Sequence, residues 1–198
     1  MAKRILLLTG WLLIPVVGLA WHLGPGQEQK ALDRAAHHLR DADVAVAASD
    51  YGAAVSEFES ALKALPEGRV AEARKIRLER AKAQMLNRQL PDAHADLQTL
   101  VDELVADPAA DAKLLADARS AYANSQYYIT WLMRLEGRSR DDWEPEIEAA
   151  RQTYKLLAAD AEACGDGSAG RHKQDLEAAI RLARMDLSEL QGLPLPSQ

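Results

Sequence analysis

Apolar side chains recur every three or four residues in segment after segment of this chain, and each segment ends at proline, glycine or a polar capping residue. From residue 28 to residue 48 they fall at Leu32, Ala35, Ala36, Leu39, Ala42 and Val46, the spacing that lines one face of an α-helix. Ser49 and Asp50 are suited to cap a second helix from Tyr51 to Leu65, which stops at Pro66-Glu67-Gly68. A third helix is predicted from Val70 to Arg88. A fourth begins at Pro91, where the missing N–H would be unpaired in any case. Asp107-Pro108 repeats that start for a fifth, long helix reaching Leu135, and Gly137 to Asp142 form the next turn. A sixth helix runs to Ala163 with Pro145 in its first turn. The run from Cys164 to Gly170 is the clearest break, and a last helix covers Arg171 to Leu190. Short turns between seven such helices make neighbours antiparallel, so the expected architecture is a stack of helical hairpins. Hydrophobic residues make up 48% of the chain, mostly Ala and Leu, while Val, Ile, Thr and Phe are scarce. That usage favours helix over sheet and predicts an all-α fold.

The first 23 residues differ in kind. Lys3 and Arg4 precede Ile5 to Leu23, nineteen positions without Asp, Glu, Lys or Arg. At about 1.5 Å per residue this stretch just reaches the roughly 30 Å of a bilayer core. Two readings compete. As a signal anchor it is a single transmembrane helix, with Trp11 and Trp21 near its ends and the basic pair holding the N-terminus in the cytoplasm. As a cleaved signal peptide it would be cut at the small pair Gly18 and Ala20. The apolar run continues past that site, which favours the anchor. Both readings export residues 24–198, and the expected location is the bacterial inner membrane with the C-terminal domain in the periplasm. The expected organisation is an anchor over 1–23, a hinge over 24–27 at Gly24-Pro25-Gly26, a helical domain over 28–191 and a flexible tail over 192–198.

The exported part carries 22 basic against 30 acidic side chains, a net charge of −8, which repels nucleic acid and anionic headgroups. The single cysteine, Cys164, has no partner for an internal disulfide, so the fold depends on packing.

Within the second helix, Tyr51, Ala54, Phe58, Ala61, Leu62 and Pro66 fall at the spacing of the second helix of a tetratricopeptide repeat, which the segment resembles. Small Ala54 and Ala61 let helices approach closely, Tyr51 and Phe58 fill the gap toward the preceding helix, and Pro66 turns the chain back. Ala42 supplies the small residue of the preceding helix, although His38 and Asp41 stand where the family places large apolar side chains. Ala81, Ala93, Leu97 and Leu100 fit a looser second pair, and Ala150, Tyr154 and Leu157 a third. The resemblance implies a TPR-like α-solenoid that binds other proteins. One hydrophobic segment plus a short repeat domain is also similar in layout to accessory proteins of bacterial envelope complexes such as the aerotolerance group.

Aromatic residues concentrate between Tyr122 and Tyr154. In Tyr127 to Leu135 apolar side chains cover the whole helix circumference, so either the helix lies centrally among neighbours or one side meets a partner. Tyr127, Tyr128, Trp131, Arg134, Arg138 and Trp143 are the candidate partner-binding residues, because Trp, Tyr and Arg anchor protein interfaces. Arg69, Arg74, Lys75, Arg77, Arg80, Lys82 and Arg88 make the third helix basic, while Asp92, Asp96, Asp102, Glu103, Asp107, Asp111 and Asp117 make the following stretch acidic, and antiparallel packing would bring the opposite signs together. Asp33, His37 and Asp41 share one face but read as surface polar residues, as do His94 and His172. No nucleophile, base or metal cage stands out. The expectation is a non-enzymatic, membrane-tethered scaffold without cofactor or metal, whose partners are other envelope proteins or itself. The alternative is a ligand-binding or enzymatic helical domain whose pocket is lined by Tyr127, Tyr128, Trp131 and Trp143.

Overall fold

The computed structural model describes residues 25–192, and every regular element among them is an α-helix. In chain order these are α1 (Pro25–Ala47), α2 (Tyr51–Ala64), α3 (Val70–Leu86), α4 (Leu90–Ala106), α5 (Ala112–Leu135), α6 (Arg140–Cys164), α7 (Ala169–Arg184) and α8 (Leu187–Gln191). The expected membrane segment, with Trp11 and Trp21, lies outside the described residues. Among those described, no helix is long and apolar enough to cross a membrane.

Each helix from α1 to α6 packs on the next in the chain, α3 also touches α5, and the short α8 folds back onto α5. Three apolar clusters follow one another along the stack. The first joins α1, α2 and α3 through Ala42, Ala54, Phe58, Ala61 and Ile76. Ala54 and Ala61 are 0% exposed and Phe58 is buried, so the small residues do sit where helices meet, with Tyr51 half-buried beside them. The second cluster joins α3, α4 and α5 through Leu78, Leu97, Leu100, Leu104 and Leu114; burying a leucine fully contributes about 1.5–3 kcal/mol. The third joins α5 to α8 through Trp131, Ile147, Tyr154, Leu182 and Leu190.

The helix ends differ from the sequence reading in ways that have local causes. Pro25 to Gln27 belong to α1, so the expected hinge is helical there; proline is compatible with a first turn. Asp50 alone caps α2, its carboxylate accepting from the Ala53 N–H at 3.0 Å, while Ser49 (φ 59°) takes the left-handed position that closes α1. The fifth helix starts at Ala112 because Asp111, not Asp107, caps it, accepting from the Lys113 N–H. Asp107 holds a turn by accepting from Ala109 at 3.0 Å. Ser139 and Asp142 form a capping box, which starts α6 at Arg140 and leaves Pro145 in the second turn. The expected last helix is broken in two because Asp186 caps a new turn, accepting from Glu189 at 3.2 Å.

Antiparallel pairing of α3 and α4 aligns their opposite charges. Arg74, Arg77 and Arg80 donate to Asp107, Glu103 and Asp96 at 2.6, 2.7 and 2.6 Å. The Arg74 hydrogen bond holds the Asp107 carboxyl below the usual carboxylate range.

Candidate functional site

The aromatic segment of α5 is mostly interior. Trp131 is buried in the third cluster, and Tyr127 and Trp143 pack against it. Arg134 is 8% exposed. Its guanidinium donates to the carbonyls of Leu182 and Met185 and lies over the Trp143 ring, 4.7 Å from the centroid. Those carbonyls belong to the end of α7, where a cation also complements the helix dipole. Burial lowers the Arg134 pKa, yet the guanidinium stays charged because its intrinsic value is so high. The structure thus brings Tyr127, Trp131, Arg134 and Trp143 together as packing that fastens α7 and α8 to α5. Arg138 is exposed on the following turn, and Tyr128 faces elsewhere.

Tyr128 lines a groove of about 1000 Å³. One wall is the end of α3, with Lys82, Met85 and Leu86; the floor is α5, with Ala112, Ala116, Ala121 and Asn124; the other wall is the end of α6 and the start of α7, with Leu157, Cys164, Arg171 and His172. The Tyr154 hydroxyl donates to Asn124 Oδ1 at 2.7 Å, which leaves the amide nitrogen as the free end of that side chain. His172 is 8% exposed and its Nδ1 has no hydrogen-bond partner; the nearest carboxylate oxygen, on Asp175, is 4.0 Å away. Burial raises the Asp175 pKa. Cys164 is exposed and is the last residue of α6 rather than part of the loop.

Beside the groove floor, a polar network crosses three helices. His94 on α4 is within 3.0 Å of Ser125 Oγ on α5, and its ring lies 5.2 Å from that of Tyr122. Ser125 is 0% exposed, and its hydroxyl donates to the Tyr122 carbonyl at 2.7 Å. With that proton spent, Ser125 accepts from His94 Nδ1–H, so the neutral ring carries its proton on Nδ1. The other nitrogen, Nε2, is 3.9 Å from Glu146 Oε2 on α6, an oxygen that already accepts from Gln126 Nε2 at 3.1 Å. Desolvation pulls the His94 pKa down, and the Glu146 charge offsets this only in part.

A serine, a histidine and a glutamate in this order invite comparison with a hydrolytic triad. The comparison fails at the serine, which is sealed from solvent and donates its proton to the backbone rather than to the imidazole. The network is a joint between helices. Its sequence signal is the polar run Asn124-Ser125-Gln126 inside an otherwise apolar α5 stretch; periodicity alone passes over His94 as a surface residue.

Among the described residues the remaining histidines, His37 and His38, are engaged locally. His37 pairs with Asp41 at 2.7 Å on the exposed face of α1. His38 reaches across to Glu57 of α2 at 2.7 Å, so a polar pair holds the position where a repeat would place an apolar side chain. Among the described residues no group of His, Cys, Asp and Glu gathers to hold a metal ion. Comparison of the chain with protein-family models, with characterised proteins and with solved structures finds no match.

Proposed function

We infer that the chain is a non-catalytic scaffold of the bacterial envelope, tethered through residues 1–23, whose TPR-like helical stack docks a segment of another protein in the groove over α5. The observation that carries this reading is the groove itself: Ala112, Ala116 and Ala121 of α5 line it together with the charged Lys113 and Asp117, apolar Met85, Leu86 and Leu157 stand on its two sides, and Lys82, Asp160, Asp166 and Arg171 add charge of both signs. A helix with side chains is about 10–12 Å across, so the space suits on the order of two turns of an amphipathic helix. The packing of Ala42, Ala54, Phe58 and Ala61 supports the solenoid reading, since it joins three consecutive helices in the manner of stacked repeats. Tethering raises the effective concentration of whatever the groove holds, so moderate affinity suffices.

The test is photo-crosslinking from the full-length chain in bacterial membranes. A crosslinker at Ser120, on the groove floor, is expected to capture a discrete protein adduct. One at Val105, exposed at 57% on α4, is expected not to. Equal labelling from both positions, or a small molecule retained by the purified chain in place of a protein, would overturn the reading in favour of non-specific contact or of a ligand-binding domain.

A further inference from the structure

The two walls of the groove stand on different hairpins. Lys82, Met85 and Leu86 ride on α3, which is fastened to α4 by the arginine–carboxylate ladder. Leu157, Cys164, Arg171 and His172 ride on α6 and α7. The angle between α4 and α6 across α5 therefore sets how far apart the walls stand. Among the described residues, the polar path from α4 to α6 runs through His94, with Ser125 fixing one ring nitrogen and Glu146 facing the other.

The groups around the ring define what a proton would do. From α5, Tyr122 stacks on it and Ser125 accepts from Nδ1. From α6, the Glu146 carboxylate faces Nε2, held at one oxygen by Gln126. From α3, Arg80 donates to Asp96, two residues along α4 from His94. Neutral His94 has no hydrogen on Nε2, so the 3.9 Å separation from Glu146 is an open contact. A proton there creates an N–H donor aimed at a carboxylate, and such charged pairs close to about 2.7–2.9 Å.

We propose that His94 is a pH-sensing joint: on gaining a proton at Nε2 it draws Glu146 in, closes α4 toward α6 and resets the width of the groove. Its importance for binding rests on the docking reading above, but the movement itself does not. Histidine is the side chain whose charge changes in the mildly acidic range, and an extracytoplasmic domain has no cytoplasmic buffer around it.

The native Cys164 is the chain's only cysteine and stands on one wall, so Leu86→Cys on the other wall gives a two-label pair spanning the groove. Nitroxide labels on that full-length variant in detergent micelles, read by double electron–electron resonance at pH 7.5 and pH 5, are expected to show the mean distance shifting by about 1 Å or more, the amount by which the pair closes. The shift is expected to vanish when His94→Gln or Glu146→Gln is added. Glu146→Gln is also expected to move the His94 titration, followed by ring-nitrogen NMR, to lower pH. An unchanged distance between the two pH values, or a shift that survives both substitutions, overturns the proposal. Since no partner is present, a static groove that still crosslinks through Ser120 removes the joint and leaves docking standing, while a moving groove that captures nothing does the reverse.

Discussion

The two halves of the described chain tie their helices together by different means. Alanine makes close approaches in both, with Ala42, Ala54 and Ala61 in the first and Ala118, Ala123, Ala150 and Ala179 in the second all 0% exposed, but from α1 to α4 the polar ties run along the rim as the α3–α4 ladder of ion pairs. From α5 to α8 the interior holds Trp131, Tyr154, Ser125, Thr130 and Arg134, and the ties run through the middle. Small residues give a contact that depends on volume alone, tolerant of salt and pH. Buried polar groups give one that must satisfy every donor and acceptor, and that responds when one of them changes charge. The first half is thereby a fixed mount, and the second is the half whose geometry can be adjusted.

The largest test of that contrast is Arg134→Ala. It strips hydrogen bonds from the Leu182 and Met185 carbonyls and uncovers the Trp143 ring. With each buried acceptor left unpaired costing about 1–3 kcal/mol, a loss of about 3 kcal/mol is expected. Amide exchange is expected to show the loss confined to α7 and α8, with α1 to α4 still protected. Arg134→Lys restores only part of it, because an ammonium cannot present two fixed N–H groups to two carbonyls. A uniform loss of protection along the whole chain would mean that the two halves fold as one unit.

The next effect belongs to the first half. Ala61→Leu forces a larger side chain into a site with no free surface and is expected to cost about 1–3 kcal/mol by thermal unfolding. Ala116→Leu fills the groove floor instead. It is expected to leave stability within about 0.5 kcal/mol while abolishing the Ser120 crosslink. Equal destabilisation by the two would show that the groove floor is already in contact with its walls.

How much of this is legible without coordinates depends on the kind of contact. Periodicity finds helices and caps because both are local, and it puts Ala54, Phe58 and Ala61 on one face of α2, the face that is buried, because a single helix determines it. The meeting of basic α3 with acidic α4 is readable too, since antiparallel neighbours bring opposite charges together, although which residues pair is set by the packing. The aromatic run of α5 shows the limit. Its apolar circumference is compatible with a central helix or an interface, and the difference rests on α8 folding back onto α5, a contact set by Asp186 interrupting the last helix. The groove escapes for the same reason: Leu86, Ala116 and Cys164 come from three helices, and no spacing links them.

Burial holds the His94 pKa below its ordinary value, so as pH falls below about 6.5 the unfolded chain takes up the proton first. Stability is then expected to fall until the folded pKa is passed and to level off beyond it. The Asp107 carboxyl is also held low, by Arg74, but its contribution persists until the pH falls below the carboxylate range near 4. Unfolding followed from pH 7 to pH 5 is therefore expected to weaken the native chain, and His94→Gln is expected to flatten that slope while leaving the loss near pH 4 in place. A slope unchanged by His94→Gln assigns the mid-range sensitivity to another group.

The smallest effect expected is that of the ladder. Arg77 and Glu103 are 24% and 40% exposed at their side chains, so solvent screens their attraction and ordering two long side chains offsets much of the remainder. Exposed pairs of this kind contribute about 0–1 kcal/mol. A double-mutant cycle of Arg77→Ala and Glu103→Ala isolates that coupling from the packing lost with the arginine stem. It is expected to stay under about 1 kcal/mol and to shrink further at 1 M salt, where screening acts within about 3 Å. A coupling that is several times larger, or that withstands salt, would make charge rather than alanine contact the fastening of the first half, and the distinction drawn between the two halves would then fail at its most exposed point.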